Sequence, residues 1–249
     1  MPKINVYLPD DLAAAVKRAG FPVSPVCQRA LAEAVKNVTA IRRSVAVIRD
    51  HSADAAALEA LESGSDGRTA RLTSIIDHVV AGTAESALAS TGALLLGLLD
   101  EGSSLAVGLI GSLDVDLDDL RAAVESACEA IAEPGDVEAG AGQTSWLARL
   151  TWPARDAIAA ATECALDLGH NYVGTEHVLL GLLADPASEA GHALLEQGMD
   201  AAATRRALTS ALAGYAQGRQ ASAPPLAARM DDIVQRLEAV ERRLASAGV

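Results

Sequence analysis

LLLGLLDE, Leu94 to Glu101, returns as VLLGLLAD, Val178 to Asp185, and this recurrence decides the fold. A shift of 84 lays residues 90–127 on 174–211 without a gap, and 13 of those 38 positions are identical. An Ala/Leu-rich composition accounts for some of that match. It does not account for Thr91 on Thr175, Gly97 on Gly181, Asp116 on Asp200 and Arg121 on Arg205 together, so two tandem copies are expected.

Each copy reads as four helices. The helix opening at Thr91 or Thr175 has a hydroxyl for its N-cap and is then apolar all round, as a helix at the centre of a bundle must be. Gly97 and Gly181 each cost such a helix about 1 kcal/mol relative to Ala, which points to a close backbone crossing there. Ala106, Leu109, Ile110 and Leu113 form a helical stripe, and Asp116 and Asp200 are N-cap residues for the last helix of each copy.

Composition agrees with an all-α body. Of 249 residues 50% are apolar but only 2% aromatic, so the core is built from Ala, Leu and Val. Residues 1–49 carry eight Lys/Arg against three Asp/Glu, a balance of +5, which leaves −18 of the total −13 to residues 50–249. The basic head suits a polyanion and the acidic body repels one. Cys27, Cys128 and Cys164 are odd in number and lack C-x-x-C spacing, so they read as small core residues of a reducing cytoplasm. No signal-peptide order and no long uncharged apolar stretch is found, so no membrane partner is expected.

At the N-terminus, KINVYL alternates with period two, placing Ile4, Val6 and Leu8 on one face and Lys3, Asn5 and Tyr7 on the other, as in a strand. Pro9-Asp10-Asp11 starts a short helix that Gly20 stops. Ser24-Pro25 starts a second, whose buried face is Val26, Ala30, Leu31, Ala34, Val35 and Val38. The domain plan is a head at 1–49, a linker at 50–68, a double-repeat body at 69–215 (copies at about 69–133 and 147–215), a linker at 216–225 and a helix at 226–246. In that last helix Leu226, Met230, Ile233, Leu237, Val240 and Leu244 have heptad spacing, fit to pair with a second copy or to dock on the body.

GHNYVGTEHVLLGLLAD, Gly169 to Asp185, is similar to the signature of the Clp N-terminal domain, found at the head of the ClpA and ClpC unfoldases. The resemblance implies a double four-helix repeat over Thr69 to Tyr215 that receives substrates, adaptor proteins, arginine-phosphorylated proteins or cyclic-peptide antibiotics. Carried over by position, it nominates Leu147, Leu150, Thr151, Arg155, Thr175 and Glu176 in copy two, with Arg71 and Thr91 in copy one, as ligand contacts, and pairs Glu176 with Thr151. Copy one departs from the pattern: Ser90-Thr91-Gly92-Ala93 stands where copy two has Gly174-Thr175-Glu176-His177, so the glutamate is missing. The head, in turn, resembles the ribbon-helix-helix DNA-binding proteins. That likeness implies a homodimer sharing a two-stranded ribbon, with Lys3, Asn5, Tyr7 and Ser24 on DNA, or a dimeriser that binds none.

No G-x-x-x-x-G-K-[ST] occurs and the last lysine of the sequence is Lys36, so these residues have no phosphate-gripping loop for ATP-driven unfolding. Neither H-E-x-x-H nor G-x-S-x-G is present, and no catalytic, metal or cofactor set is expected. The sequence therefore leads to a non-catalytic binding protein: it senses or sequesters ligands of Clp unfoldases, with a DNA-binding head for autoregulation. The alternative is an adaptor that delivers clients to a Clp ATPase and uses its head only to dimerise.

Overall fold

The computed structural model describes residues 5, 7–20, 22–62, 67–84, 87–135 and 145–222. They fall into two compact units, Met1–Leu31 with Leu212–Val249, and Ala32–Ala211.

In the first unit, α1 (Asp10–Ala19) stops at Gly20, whose φ of 64° is left-handed and returns its N–H to the Lys17 carbonyl. Helix α2 (Val23–Arg49), which runs on into the second unit, begins two residues before Pro25, the first helical position that Ser24-Pro25 suggests, so Ser24 lies exposed inside the first turn and not at its cap. Of the expected strand, Lys3, Ile4 and Val6 lie outside the described residues, and Asn5, Tyr7 and Leu8 belong to no strand. The apolar face expected to be buried on α2 is open in the single chain: Val26, Leu31 and Val35 are 54%, 51% and 65% exposed.

The second unit holds the repeats, whose helices run α4 (Ala70–Gly82), α5 (Thr91–Glu101), α6 (Leu105–Ser112) and α7 (Leu117–Ala130), then α8 (Trp152–Asp167), α9 (Thr175–Leu182), α10 (Glu189–Glu196) and α11 (Ala201–Ser222). Four helices per copy is the expected count. Side-chain oxygens of Thr69, Ser90, Ser104, Asp116, Thr151 and Ser188 accept first-turn N–H groups, and Asp200 accepts from Ala203 N–H. In copy one the capping hydroxyl is thus Ser90, with Thr91 already inside the helix, and in copy two the N-cap is Gly174. The stretch expected as the 50–68 linker contains a further helix, α3 (Ala55–Glu62), capped by Asp54. Helix α11 likewise runs to Ser222, into the expected 216–225 linker, while the heptad helix lies outside the described residues.

The two copies are tied to each other by crossed pairing. Arg68 bridges Val173 and Ala89 bridges Leu150, both parallel. Thr69 N–H donates to Val173 O (2.9 Å) and Val173 N–H to Gly67 O (2.8 Å); in the mirrored bridge Thr151 N–H donates to Ala89 O (3.0 Å) and Ala89 N–H to Arg149 O (2.7 Å). The segment leading into the first helix of either copy therefore pairs with the segment leading into the second helix of the other. Packing follows the same exchange, with α6 against α9 and α10 against α5.

At the α8–α9 crossing a Cβ on Gly181 would overlap the Ala157 carbonyl oxygen and lie 2.9 Å from Ala161 N. Gly97 makes the corresponding crossing in copy one, where a Cβ would meet only the side chains of Val79 and Ile75. Both glycines are where the chain needs them. Cys164 is buried, but Cys128 is exposed rather than part of the core. No single helix among the described residues is long and apolar enough to cross a membrane.

Candidate functional site: two junctions between the repeats

Because the copies exchange their leading segments, each half of the body has one junction where a helix start from one copy meets a helix start from the other. At the first, α5, α8 and α10 converge on Glu133. Its carboxylate accepts from Thr91 N–H (2.9 Å), Thr151 Oγ1 (2.7 Å), Glu189 N–H (3.1 Å) and the Thr91 hydroxyl. Glu189 accepts from the Ser90 hydroxyl, from Gly92 N–H (3.2 Å) and from Cys128 Sγ (3.2 Å). Ala190 N–H completes the set on Thr91 Oγ1 (3.1 Å). The N–H groups that open α5 and α10 are thereby satisfied by the chain's own oxygens.

Gly92, where the copy-two glutamate has no counterpart, has no room for a side chain: a Cβ would run into Cys128 Sγ and the Glu189 carboxylate. The carboxylate missing from the sequence position is supplied from elsewhere. Partial desolvation of the sulfur, which faces inward although the residue as a whole is exposed, and then the Glu189 carboxylate push the Cys128 thiol up to about 12, so it stays protonated at neutral pH.

The second junction is built on rings. His177 is fully buried, and its Nδ1 accepts from Gly174 N–H (2.9 Å). Its proton therefore sits on Nε2, which faces His170 Nδ1 at 2.8 Å. Tyr172 stacks on His170 with ring centroids 5.1 Å apart, and Glu176, 4% exposed, lies beside both His177 and Tyr172. His170, Glu176 and His177 bring possible metal-ligand atoms within 4.8 Å of one another. Both nitrogens of His177 are nonetheless engaged, so the two histidines act as a hydrogen-bonded clasp on the start of α9.

Burial, and next the neighbouring His170, push His177 from 6.5 down to about 3. Between those values only the unfolded chain takes up the proton. The stability that neutral His177 contributes is therefore complete above about pH 6.5 and is lost as pH falls toward 3. His177→Asn keeps an oxygen for Gly174 N–H without the titration. Its urea midpoint is expected to fall less between pH 7 and pH 4 than that of the parent chain; parallel declines would assign the acid loss to other groups.

Among the expected ligand contacts, Leu147, Leu150, Thr151, Arg155, Thr175, Glu176 and Thr91 are all at most 5% exposed. They build the junctions and their surroundings. Thr151 joins Thr91 through Glu133, whereas the bridge at Val173 brings the residues that lead into α9 to Thr69. Arg155 donates from Nη2 to Asp50 O (3.1 Å). Exposed Arg71 reaches Ser103 O (2.9 Å) and Glu101 (3.1 Å), both within copy one. In the head, Asn5, Tyr7 and Ser24 are exposed and Lys3 lies outside the described residues. Sequence reading missed Ser90, Glu133 and Glu189. Glu189 alone left a trace, standing where copy one has Leu105.

The fold and these junctions define a class: a helical body of two interlocked four-helix repeats, each completing the helix starts of the other. Residues 149–249 match the family model described as the Clp repeat (R) N-terminal domain. Over 107 residues the chain is 34% identical to an "ATP-dependent Clp protease ATP-binding subunit ClpA homolog" of Guillardia theta, covering 43% of this chain and 12% of that protein. The "Chaperone protein ClpC1, chloroplastic" of Oryza sativa subsp. japonica is also 34% identical over 107 residues, covering 43% of this chain and 11% of that protein. The chain thus spans only about an eighth of the length of these relatives. Among solved structures, the N-terminal domain of the chaperone ClpD from Arabidopsis thaliana aligns with 60% of this chain and 96% of its own length, at 20% identity and a TM-score of 0.42.

Proposed function

We propose that this chain is a non-catalytic binding protein whose repeat body takes up protein or peptide segments, or cyclic peptides, that Clp ATPases also receive. The match of residues 149–249 to the Clp repeat N-terminal domain carries this reading. In it the protein sequesters or senses such ligands in the cytoplasm.

The head, in this reading, forms a homodimer and contacts DNA through Lys3, Asn5, Tyr7 and Ser24. Support for dimerisation comes from the exposed Val26, Leu31 and Val35 on α2, an apolar stripe that a second copy would cover. The +5 balance of residues 1–49 against −18 in the rest directs any nucleic acid to the head. The same stripe favours a second reading, in which the head dimerises without DNA and the protein is an adaptor that hands clients to a Clp ATPase.

Two measurements on the full chain test these readings. Fluorescence anisotropy with labelled, unfolded α-casein is expected to give saturable binding, and failure to bind it would remove the body's assigned role. Selection from a random duplex library is expected to enrich one sequence, lost on Lys3→Ala; no enrichment from a chain that still dimerises would move the head to the adaptor reading.

A further inference from the structure

Helix α3 lies on the second repeat in the manner of a bound peptide. Eight residues, AAALEALE, are too few to hold a helix in water without a partner. Its order depends on what it touches, and it touches the turn at Leu147–Arg149 that leads into α8. Ala56, Glu59 and Ala60 face solvent, while Leu58 is 2% exposed. Leu61 and Glu62 close a small pocket against Leu72, Trp146, Leu147, Ile158 and Val173, which leaves room for about one water.

A polar fastening fixes the end of the helix. Glu62 Oε1 accepts from Ser145 Oγ (2.6 Å) and from Leu147 N–H (3.1 Å), the main-chain donor at the head of the turn. Beside it the Trp146 indole N–H is buried and has no acceptor among the described residues, under the Arg68 guanidinium 4.2 Å from the ring centroid. The cleft thus has an apolar floor, one carboxylate-binding point and one donor that α3 leaves unused.

We propose that α3 is an internal occupant of a peptide-binding cleft, and that the external partner is a short amphipathic helix carrying the same pattern: two leucines three residues apart followed at once by a glutamate, as at Leu58, Leu61 and Glu62. An apolar helical face laid in a groove, with one charge-assisted bond setting its register, is a familiar recognition mode. An occupant tethered in the same chain lowers the apparent affinity of any competitor by the fraction of time it leaves the cleft. The inference rests on the reading of the body as a peptide-binding domain, and makes α3 its gate.

The test uses the full chain and a fluorescein-labelled peptide of residues 54–62, DAAALEALE. Leu58→Ser with Leu61→Ser empties the cleft, and the double variant is expected to bind the peptide at least roughly tenfold tighter than the parent chain. Glu62→Gln, which leaves the leucines in place, is expected to give a smaller gain of about threefold. A double variant that keeps its helical circular dichroism and binds no better than the parent overturns the proposal. If it loses that signal, Glu62→Gln decides alone, and unchanged peptide binding there overturns the proposal too. The α-casein measurement on the parent chain runs separately: loss of casein binding with peptide binding intact rejects the broader role and leaves the gate standing.

Discussion

Gly181→Ala is expected to lower the stability of the body by roughly 3 kcal/mol or more. The new Cβ would overlap the carbonyl oxygen of Ala157 and press on the backbone at Ala161, so no side chain can rotate away and the α8–α9 crossing itself must widen. Gly97→Ala tests the same crossing in copy one. There the obstacle is the far end of Val79, which can turn, and about 1 kcal/mol is expected. Gly108→Ala is the internal control: nothing lies within 4 Å of its Cβ, and the helix should gain up to ~1 kcal/mol. Urea midpoints for the three variants should separate in that order. Equal midpoints for the variants at 181 and 108 would mean that the crossing is looser than described.

Glu133→Ala should also be strongly damaging, although the residue lies beyond the 90–127 span that the copies share. It removes the acceptor for four donors at once: the amides of Thr91 and Glu189 and the hydroxyls of Thr91 and Thr151. Thr91, Thr151 and Glu189 are at most 5% exposed, so water replaces the carboxylate poorly, and a loss of about 2–4 kcal/mol follows. Glu133→Gln keeps one oxygen and should lose about half as much. A double-mutant cycle with Thr151→Val isolates the contact. Additive losses would show that Glu133 acts through the connector's path and not through the bond to Thr151.

What could be seen in the sequence was whatever a helix decides within its own turns. Gly97 and Gly181 marked crossings because a glycine inside a buried helix needs a steric reason, and Asp116 and Asp200 announced their helices because a cap bonds two or three residues ahead. The same rule misplaced the cap of α5 by one residue, since Ser90 and Thr91 carry equivalent hydroxyls and only the fold assigns Ser90 to Ala93 and Thr91 to Glu133. Glu133 and Glu189 were out of reach: their partners are 42 to 99 residues distant for Thr91, Ser90 and Gly92, and no periodicity spans such gaps. Helix α3 was hidden inside the expected 50–68 linker because its eight residues are too few to show a helical period, although Asp54 stands ready as a cap for the alanine run that follows. Cys128 read as core because an odd, widely spaced set of cysteines offers no disulfide or metal role, yet it is exposed, with its sulfur engaged by Glu189.

The crossed bridges at Arg68–Val173 and Ala89–Leu150 make the two copies interdependent. Each copy lends the other the strand edge that its own helix start requires, so one copy alone would leave two such edges bare. Two copies joined in one chain meet that need within the chain itself, as a symmetric pair of separate copies would across an interface. The tether leaves the two halves unequal: one holds a ring clasp at His170 and His177, and the other takes its carboxylate from Glu133, in the connector.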